Sequence, residues 1–408
     1  MNPLYVGIDV SSKSNVVYLM LPNGDKHSNF ELKNSHDGST QLVKRILSAM
    51  TSRSLDTVLI GLEATSVYGD NLVYFLREDA TLAPFNRKIH VLNPKQVKKF
   101  KEAYNDLPKN DYVDSFIIAD CLRFGRINKE VYIGDYRYKA LQNLTRARYY
   151  AVCNLIKEKQ RFMNVLFKKY STMTQEKVFS NTFSTTALAV YEEFESSEAL
   201  ANMDLQELTD FIMEKGKNRF PDPESVAKAI QKAARSSYRL PKTVNDSINQ
   251  VLSISITSMK ALESQIKEFD KAIAAQMELL PNVLISIPGI GPVFSAGIMA
   301  EIGDINRFEN HAQLAKYAGL AWKQHQSGGF EAQTTRLIHS GNRFLKYYLC
   351  EAAFSLVRCD KEYSDFYHLK YKEVNRFNHK RALALTARKF VRLVFVLLKD
   401  NRLYRPAK

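Results

Sequence analysis

The stretch LYVGIDVSSKSNVVYLML at residues 4–21 decides the fold. It holds two segments rich in Val, Ile, Tyr and Leu around a short polar run, which is the pattern of a β-hairpin. Downstream, the sequence predicts a third strand around 29–32, a helix over 39–50, a continuous apolar strand at 57–64, a helix over 69–79, a strand at 88–93, and helices after Pro94 and from about Asp111. A hairpin followed by alternating helices and strands predicts a mixed α/β sheet covered by helices.

Strand signals fade from about residue 136, and charged-apolar periodic segments typical of helices take over. We therefore predict three domains: an α/β domain at 1–135, a helical and coiled-coil region at 136–280, and a mainly α-helical domain at 281–408. The segments at 217–225 and 239–243 contain Pro, Asn and Asp and predict turns between helices.

A heptad pattern runs through residues 244–280. Leu252, Met259 and Ile273 are among the apolar residues at one seam position, whereas Ser255 weakens the second position. The pattern fits a short coiled coil, within or between chains, and it fits one helix of an ordinary bundle equally well.

Composition limits the class of protein. The 408 residues include 58 Lys and Arg against 43 Asp and Glu, which gives a net charge of +15. With 45% hydrophobic residues the chain can bury a sizeable core, which excludes a disordered or collagen-like chain. No apolar run of about 18 residues is present, so we expect a protein that does not span a membrane.

The positive charge is concentrated in residues 87–104, 136–170 and 335–408. In the second of these blocks aromatic residues alternate with cations, a combination that suits a nucleic-acid surface but also fits a solvated helix face. Three such blocks in one chain favour nucleic acid. The candidate nucleic-acid-binding cations of the second block are Arg137, Lys139, Arg146, Arg148, Lys157 and Arg161. In the third block, the candidate DNA contacts are Arg343 and Lys346.

Four carboxylates form the candidate metal site. Asp9 interrupts the first apolar strand and Glu63 ends a later buried strand, while Asp111 and Asp114 lie three residues apart on one face of a helix. Each could have a structural role alone, but the set favours a Mg²⁺ site for phosphoryl transfer. Asp120 lies off the face of the acidic pair, and we expect it to be ordinary surface. This order of acids resembles the RNase H-like nucleases and resolvases.

The segment SIPGIGPVFSAGIMAEIGDI at 286–305 places Gly289 and Gly291 ahead of a helix of small residues. It resembles a helix-hairpin-helix turn, in which backbone N–H groups at a helix N-terminus bind a DNA phosphate. A tight helix connection without a ligand is the alternative.

Six ordered stretches resemble the bridge-RNA-guided DEDD transposases of insertion-sequence family one-hundred-ten, including its eleven-eleven subgroup. They are GIDVSSK (7–13), GLEATSVYG (61–69), KNDYVDS (109–115), IPGIGPVFSAGIMAEIGDINRF (287–308), LAKYAGLAWKQHQSGG (314–329) and SGNRFLKYYLCEAAF (340–354).

The resemblance implies that Asp9, Glu63, Asp111 and Asp114 form a DEDD quartet on a RuvC-like fold, with Mg²⁺ as cofactor. It also implies that Ser327, in a stretch where a short extended segment is expected, is a nucleophile that becomes covalently linked to DNA. The implied partners are donor and target DNA, a structured guide RNA, and further copies of the chain, as a dimer assembling to a tetramer. The implied location is the prokaryotic cytoplasm, in association with the nucleoid.

Three other functions compete with an RNA-guided transposase. A metal-only RuvC-like nuclease or resolvase would use the quartet without Ser327. An actin-like or sugar-kinase phosphotransferase would need a second Asp-x-Gly hairpin and a Gly-rich adenosine loop, and the sequence has neither. A non-catalytic RNA-binding scaffold would leave the four carboxylates unexplained.

Overall fold

A computed structural model of the chain describes residues 2–64, 67–104, 107–108, 110–125, 136–176, 178–323, 326–327, 330–331 and 336–406. The chain forms two compact units, Met1–Ile133 and Gly134–Lys408. Among the residues described, no helix combines the length and the apolar character that crossing a membrane requires.

A five-stranded mixed sheet is the centre of the first unit. Its strands are β1 (Pro3–Val10), β2 (Ser14–Met20), β3 (Lys26–Lys33), β4 (Thr57–Glu63) and β5 (Asn86–Leu92), in the spatial order β3-β2-β1-β4-β5. The strand β1 pairs antiparallel with β2, as the predicted hairpin requires, and parallel with β4. The carboxyl ends of β1 and β4 therefore lie at the same edge of the sheet.

Four α-helices accompany the sheet: α1 (His36–Ser52), α2 (Asp70–Glu78), α3 (Pro94–Lys101) and α4 (Asp111–Phe124). All four follow the sequence prediction. Three of these starts have a local cause, because the side chains of Ser35, Asn93 and Asn110 accept hydrogen bonds from the first turns of α1, α3 and α4. The predicted α/β fold of this part of the chain is confirmed.

The two faces of β1 pack against different helices. Leu4, Val6 and Ile8 are fully buried in a core that also contains residues of α1 and α2. Successive side chains of a strand point to opposite faces, so Gly7 and Asp9 belong to the other face. The helix α4 packs there, directly over Gly7.

The second unit is helical apart from one short pair of strands in its described part. Its first half contains α5 (Tyr136–Lys169), α6 (Ser171–Gln175), α7 (Thr185–Glu193), α8 (Ser197–Asn202), α9 (Leu205–Gly216), α10 (Pro223–Ser236) and α11 (Lys242–Met277). The gaps between α9, α10 and α11 fall at the two predicted turns.

The long helices α5 and α11 pack side by side. The helices α6 to α10 form a small bundle whose core also includes buried residues of α5 and α11. Arg148 contacts Asp270, while further along α5 Lys159 contacts Glu263, so the two helices run antiparallel. The heptad residues Leu252, Met259 and Ile273 are buried within this unit. These three residues therefore pack within the chain, and a coiled coil between chains stays a prediction.

The C-terminal half of this unit contains α12 (Pro292–Ile302), α13 (His311–Tyr317), β6 (Gln326–Ser327), β7 (Phe330–Glu331), α14 (Arg343–Cys359), α15 (Lys361–Lys372) and α16 (Asn378–Asp400). Its core combines apolar residues of α12, α14 and α16. The predicted helical character of this region is confirmed, and the short extended stretch predicted around 320–335 contains β6 and β7.

Candidate active site

Asp9 and Glu63 occupy equivalent places at the ends of two neighbouring strands. The last register pair between β1 and β4 is Ile8 with Leu62, and the two acidic residues come next in each strand. Each lies two residues after a glycine, Gly7 or Gly61, and therefore on the same face of the sheet as that glycine. Both acidic side chains are thus on the side covered by α4.

The helix α4 carries the other two carboxylates to this edge. Asn110 fixes its start, because the Asn110 side chain accepts a hydrogen bond from the Val113 N–H at 2.8 Å. Asp111 and Asp114 therefore lie in the first turn. One carboxylate oxygen from each of Asp9, Asp111 and Asp114 lies within 4.8 Å of the others, which is close enough to share one metal ion.

A glycine makes this arrangement possible. A Cβ atom at Gly7 would lie 2.0 Å from the Ser115 carbonyl oxygen and 2.5 Å from the Ala119 nitrogen, so only glycine lets the α4 backbone approach β1 this closely. The role of Gly7 was not predicted from the sequence, although the Gly-x-Asp and Gly-x-Glu patterns at the ends of two strands signal it.

Charge repulsion and burial act together on the strand carboxylates. Burial, then the charges of Asp114 and Asp111, raise the pKa of Asp9. Burial, then the charges of Asp9 and Asp114, raise the pKa of Glu63. Glu63 is therefore electrostatically part of the cluster, although it is not one of the three residues whose oxygens meet. Oxygen ligands that repel one another fit a divalent cation, because its charge relieves the repulsion.

Lys101 supplies a positive charge at this cluster, and the sequence analysis missed it. Its Nζ lies 2.6 Å from Asp114 Oδ1, and its charge lowers the pKa of Asp9 and of Glu63 against the larger raising effects. The side chain is 27% exposed. Nothing in the spacing of α3 distinguishes Lys101 from Lys98 or Lys99, so only the packing of α3 beside α4 reveals it.

Asp120 was predicted to be ordinary surface, and that prediction is wrong. The residue is buried, with 4% of its surface exposed. It accepts hydrogen bonds from Arg123 Nε at 2.7 Å and from the Tyr104 hydroxyl. The helical spacing correctly places it away from the acidic pair, but that side of α4 faces the protein, where the Arg123 and Tyr104 donors offset the cost of burying a carboxylate.

Ser327 lies in the second unit, at the end of β6. It pairs with Phe330 of β7, which runs antiparallel to β6, and two glycines of the sequence separate these residues. His325, the histidine two residues before Ser327, lies outside the described residues. The role of Ser327 as a nucleophile stays a prediction.

The predicted turn before α12 is present in modified form. A single 3-10 turn at Leu284–Ser286 precedes it where a hairpin motif would have a full α-helix. Gly289 has a positive φ of 81° and packs on α14, where its carbonyl accepts a hydrogen bond from the Ser355 hydroxyl at 2.7 Å. Gly291 is the N-cap of α12 and has open space where a side chain would be. Binding of DNA at these glycines stays a prediction.

Two transposase family models match the chain, one toward each end. A family model for DEDD-type IS110 transposases matches residues 6–170, and the model described as the transposase IS116/IS110/IS902 family matches residues 282–368. This chain is an IS110-family transposase. It is therefore a DNA recombinase, and the kinase and non-catalytic alternatives fall away.

Individual relatives of this transposase are carried by bacterial insertion elements. A 44.8 kDa protein of insertion element IS116 from Streptomyces clavuligerus is 26% identical over 80% of this chain and 80% of its own length. A protein of IS900 from Mycobacterium paratuberculosis is 23% identical over 99% of this chain and 98% of its own length. The IS1111A transposase of Coxiella burnetii is 30% identical over 39% of this chain and 44% of its own length.

Three of the candidate cations on α5 of this transposase are engaged within the chain. Arg146 donates from Nε to Glu301 Oε1 at 2.7 Å, and Arg148 pairs with Asp270. Arg137 donates to a backbone carbonyl oxygen at 2.8 Å. These contacts hold α5 to other helices of the unit. Any role of these three residues in binding nucleic acid stays a prediction.

The other candidate cations differ in exposure. On α5, Lys157 and Arg161 are exposed, whereas Lys139 is half-buried. On α14, Arg343 is exposed and donates a hydrogen bond to a tyrosine hydroxyl of α5, and Lys346 is half-buried. Lys157, Arg161 and Arg343 are thus the candidates whose side chains are most open to a nucleic-acid backbone.

Proposed function

We propose that this transposase cuts and rejoins DNA at a Mg²⁺-dependent site on a RuvC-like domain, with Asp9, Asp111 and Asp114 as metal ligands and Glu63 beside them. The observation that carries the proposal is the meeting of three carboxylate oxygens within 4.8 Å of one another. The raised pKa values of Asp9 and Glu63 support it, because burial and, after it, the charges of the neighbouring carboxylates both favour the neutral acids when no cation is bound.

When bound, Mg²⁺ supplies positive charge that stabilises a phosphoryl group under attack and lowers the pKa of an attacking hydroxyl. The residues of the chain position the carboxylates and contact the DNA phosphate. The end of β1 and the first turn of α4 fix the carboxylates on rigid elements. Lys101 brings a cation within 2.6 Å of Asp114, so it can also contact a non-bridging oxygen of a DNA phosphate at this edge.

The proposed nucleophile is the Ser327 hydroxyl. Its oxygen attacks a DNA phosphorus atom, the bond from phosphorus to one deoxyribose oxygen breaks, the hydroxyl proton passes to a base, and the departing oxygen gains a proton. The product is a phosphodiester between serine and DNA, which a DNA hydroxyl can later attack to rejoin strands without an energy source. The family resemblance of the segment around Ser327 supports this role.

The guide and the assembly are further parts of the proposal. A structured RNA would pair with donor and target DNA, and a tetramer built from dimers would combine sites from different copies. The net charge of +15 and the concentration of cations on α5 and in residues 335–408 support binding of nucleic acid. Phosphate contacts by exposed cations such as Lys157 and Arg161 would make this binding strongly salt-dependent.

The covalent step is tested with suicide DNA that traps the protein on a cut strand. The wild-type protein, supplied with its RNA and Mg²⁺, should form an adduct whose DNA remnant maps to Ser327. Ser327→Ala should abolish it, whereas Ser340→Ala, a change at an exposed serine 13 residues away, should not. Normal recombination by Ser327→Ala would overturn the covalent mechanism and leave the metal-only nuclease.

RNA guidance is tested by sequencing the nucleic acid that copurifies with the full chain. A single defined small RNA is the expected result. Random fragments of cellular RNA and DNA would contradict guidance.

A further inference from the structure

Glu301, near the end of α12, is a carboxylate that the proposed chemistry does not use. Its side chain is completely buried, with 0% exposed. Arg146 donates two hydrogen bonds to it, from Nε to Oε1 at 2.7 Å and from a terminal nitrogen to Oε2 at 2.9 Å. Gln142 donates to Oε2 at 3.2 Å. A buried charge with this many donors is costly to disturb, since removing one partner leaves others unsatisfied.

The shortest contact of Glu301 is to Asn342, the N-cap of α14. Asn342 Nδ2 donates to Glu301 Oε2 at 2.6 Å and to the Tyr317 hydroxyl at 3.2 Å. Its other side-chain atom, Oδ1, accepts from the N–H groups of Phe344 and Leu345 at 3.0 Å each. One side chain therefore starts α14 and ties this start to α12 and α13.

These contacts lie at the two ends of residues 318–341, the segment that contains Ser327 and is called the Ser327 segment below. The Asn342 N–H donates to the Tyr317 carbonyl at 2.7 Å, joining the residue before the segment to the residue after it. Further along, the Ile338 N–H donates to the Ala321 carbonyl and the Lys323 N–H to the Arg336 carbonyl, both at 2.9 Å. The first residues of the segment, 318–323, therefore pair with its last residues, 336–341. These two paired stretches are called the stem below.

At the base of the stem, the backbones of two glycines, Gly319 and Gly341, lie very close together. A Cβ atom at Gly341 would lie 2.5 Å from the Gly319 nitrogen and 2.6 Å from its Cα, so the two strands of the stem touch backbone to backbone. Both glycines have a positive φ, +72° at Gly319 and +135° at Gly341. Such a junction has little freedom to slide, and its direction depends on the residues that hold it.

We infer that Glu301 and Asn342 are positioning residues for Ser327: their hydrogen bond fixes the base of the stem, and Arg146 anchors the pair to the basic helix α5. The inference rests on the proposed role of Ser327 as the nucleophile. A charged buried cluster suits this task because it is satisfied in only one arrangement, whereas an apolar contact tolerates sliding. Arg146 then serves as a support for the stem.

The test separates the link to Glu301 from the capping of α14. Asn342→Ser keeps a good N-cap but is too short to reach Glu301. The matched control is Asn310→Ser at the N-cap of α13, where the Asn310 side chain accepts from Ala312 and Gln313 N–H groups in the same way. Glu301→Gln, which keeps the shape but loses the charge, is the second variant.

Hydrogen exchange of the full-length protein is the primary measurement. In Asn342→Ser, exchange at the Lys323 and Ile338 amides should be about tenfold faster than in wild type, the effect of losing one charge-assisted hydrogen bond. Exchange at Ala353, in the middle of α14, should be unchanged. A general loss of stability would speed exchange at Ala353 as well, so this amide separates the two effects. Asn310→Ser should leave all three amides unchanged, and Glu301→Gln should act as Asn342→Ser does.

The yield of the serine adduct on suicide DNA is the second measurement. Asn342→Ser should form it about tenfold more slowly than Asn310→Ser at saturating DNA, with DNA affinity unchanged. Equal exchange at Lys323 and Ile338 in Asn342→Ser and Asn310→Ser would overturn the inference. If no protein, wild type included, forms an adduct, the proposed function fails, while the exchange data still decide whether Glu301 and Asn342 hold the stem.

Discussion

Replacing Gly7 with alanine tests how the carboxylate cluster is assembled. The added Cβ would lie 2.0 Å from the Ser115 carbonyl oxygen and 2.5 Å from the Ala119 nitrogen, whereas ordinary contacts begin at 3.4 Å. Both atoms belong to the backbone of α4, so no side-chain rotation relieves the overlap. The helix must retreat by about 1 Å or more, and overpacking of this kind costs about 1–3 kcal/mol.

The same retreat moves Asp111 and Asp114 away from Asp9. Because metal ligands require distances accurate to a few tenths of an ångström, we expect Mg²⁺ affinity to fall at least about tenfold and DNA cleavage by about a hundredfold. Titration calorimetry measures the first quantity and a strand-cleavage assay the second. Thermal unfolding without metal measures the cost in stability, and circular dichroism confirms that the variant is folded.

Gly61→Ala is the matched control, because Gly61 faces the same helix from the neighbouring strand. Its Cβ would lie 3.0 to 3.1 Å from methyl groups of Ile118 and Leu122, which can shift by a few tenths of an ångström. We expect its metal affinity to stay within about threefold of wild type. Wild-type metal binding by Gly7→Ala, or equal damage from both substitutions, would refute this account of the site.

Two further predictions concern charge. Asp9→Asn should weaken Mg²⁺ binding and strand cleavage by more than about a hundredfold. It should also raise the melting temperature of the metal-free protein, because it removes a half-buried carboxylate whose pKa burial and neighbouring carboxylates raise. A lower melting temperature would make Asp9 a structural residue. Lys169 is 1% exposed and its pKa is lowered to about 8. The folded chain loses this proton before the unfolded chain does, so stability should rise by about 1 kcal/mol from pH 8 to pH 9 in urea unfolding. Lys169→Met should remove that part of the slope, and an unchanged slope would contradict the assignment.

Much of the first unit is predictable from local sequence. Alternating apolar residues define β1 and β2, the apolar run at 57–64 defines β4, and Asn110 before an acidic pair marks the start of α4. The carboxylates Asp9 and Glu63 stand out because each belongs to an apolar strand, where an isolated charge is costly. Such signals are readable because they depend on neighbours within a few residues.

Other features depend on partners that are distant in sequence. Asp120 has the spacing of a surface residue, yet Tyr104 and Arg123 bury it. Arg146 and Arg148 have the composition of a nucleic-acid surface, yet each pairs with a carboxylate more than a hundred residues away. No local pattern distinguishes an exposed cation from a paired one.

The sequence by itself determined the order of helices and strands in the first unit, the acidic set, and the pattern that marks this transposase, because period, capping and motif are local properties of a chain. Only the tertiary structure decided that α4 lies on β1 at Gly7 and so brings the carboxylates together, that Lys101 joins them, and that Glu301 holds the base of the Ser327 stem. The physical reason is that a charge acts through distance in space, and folding alone sets those distances.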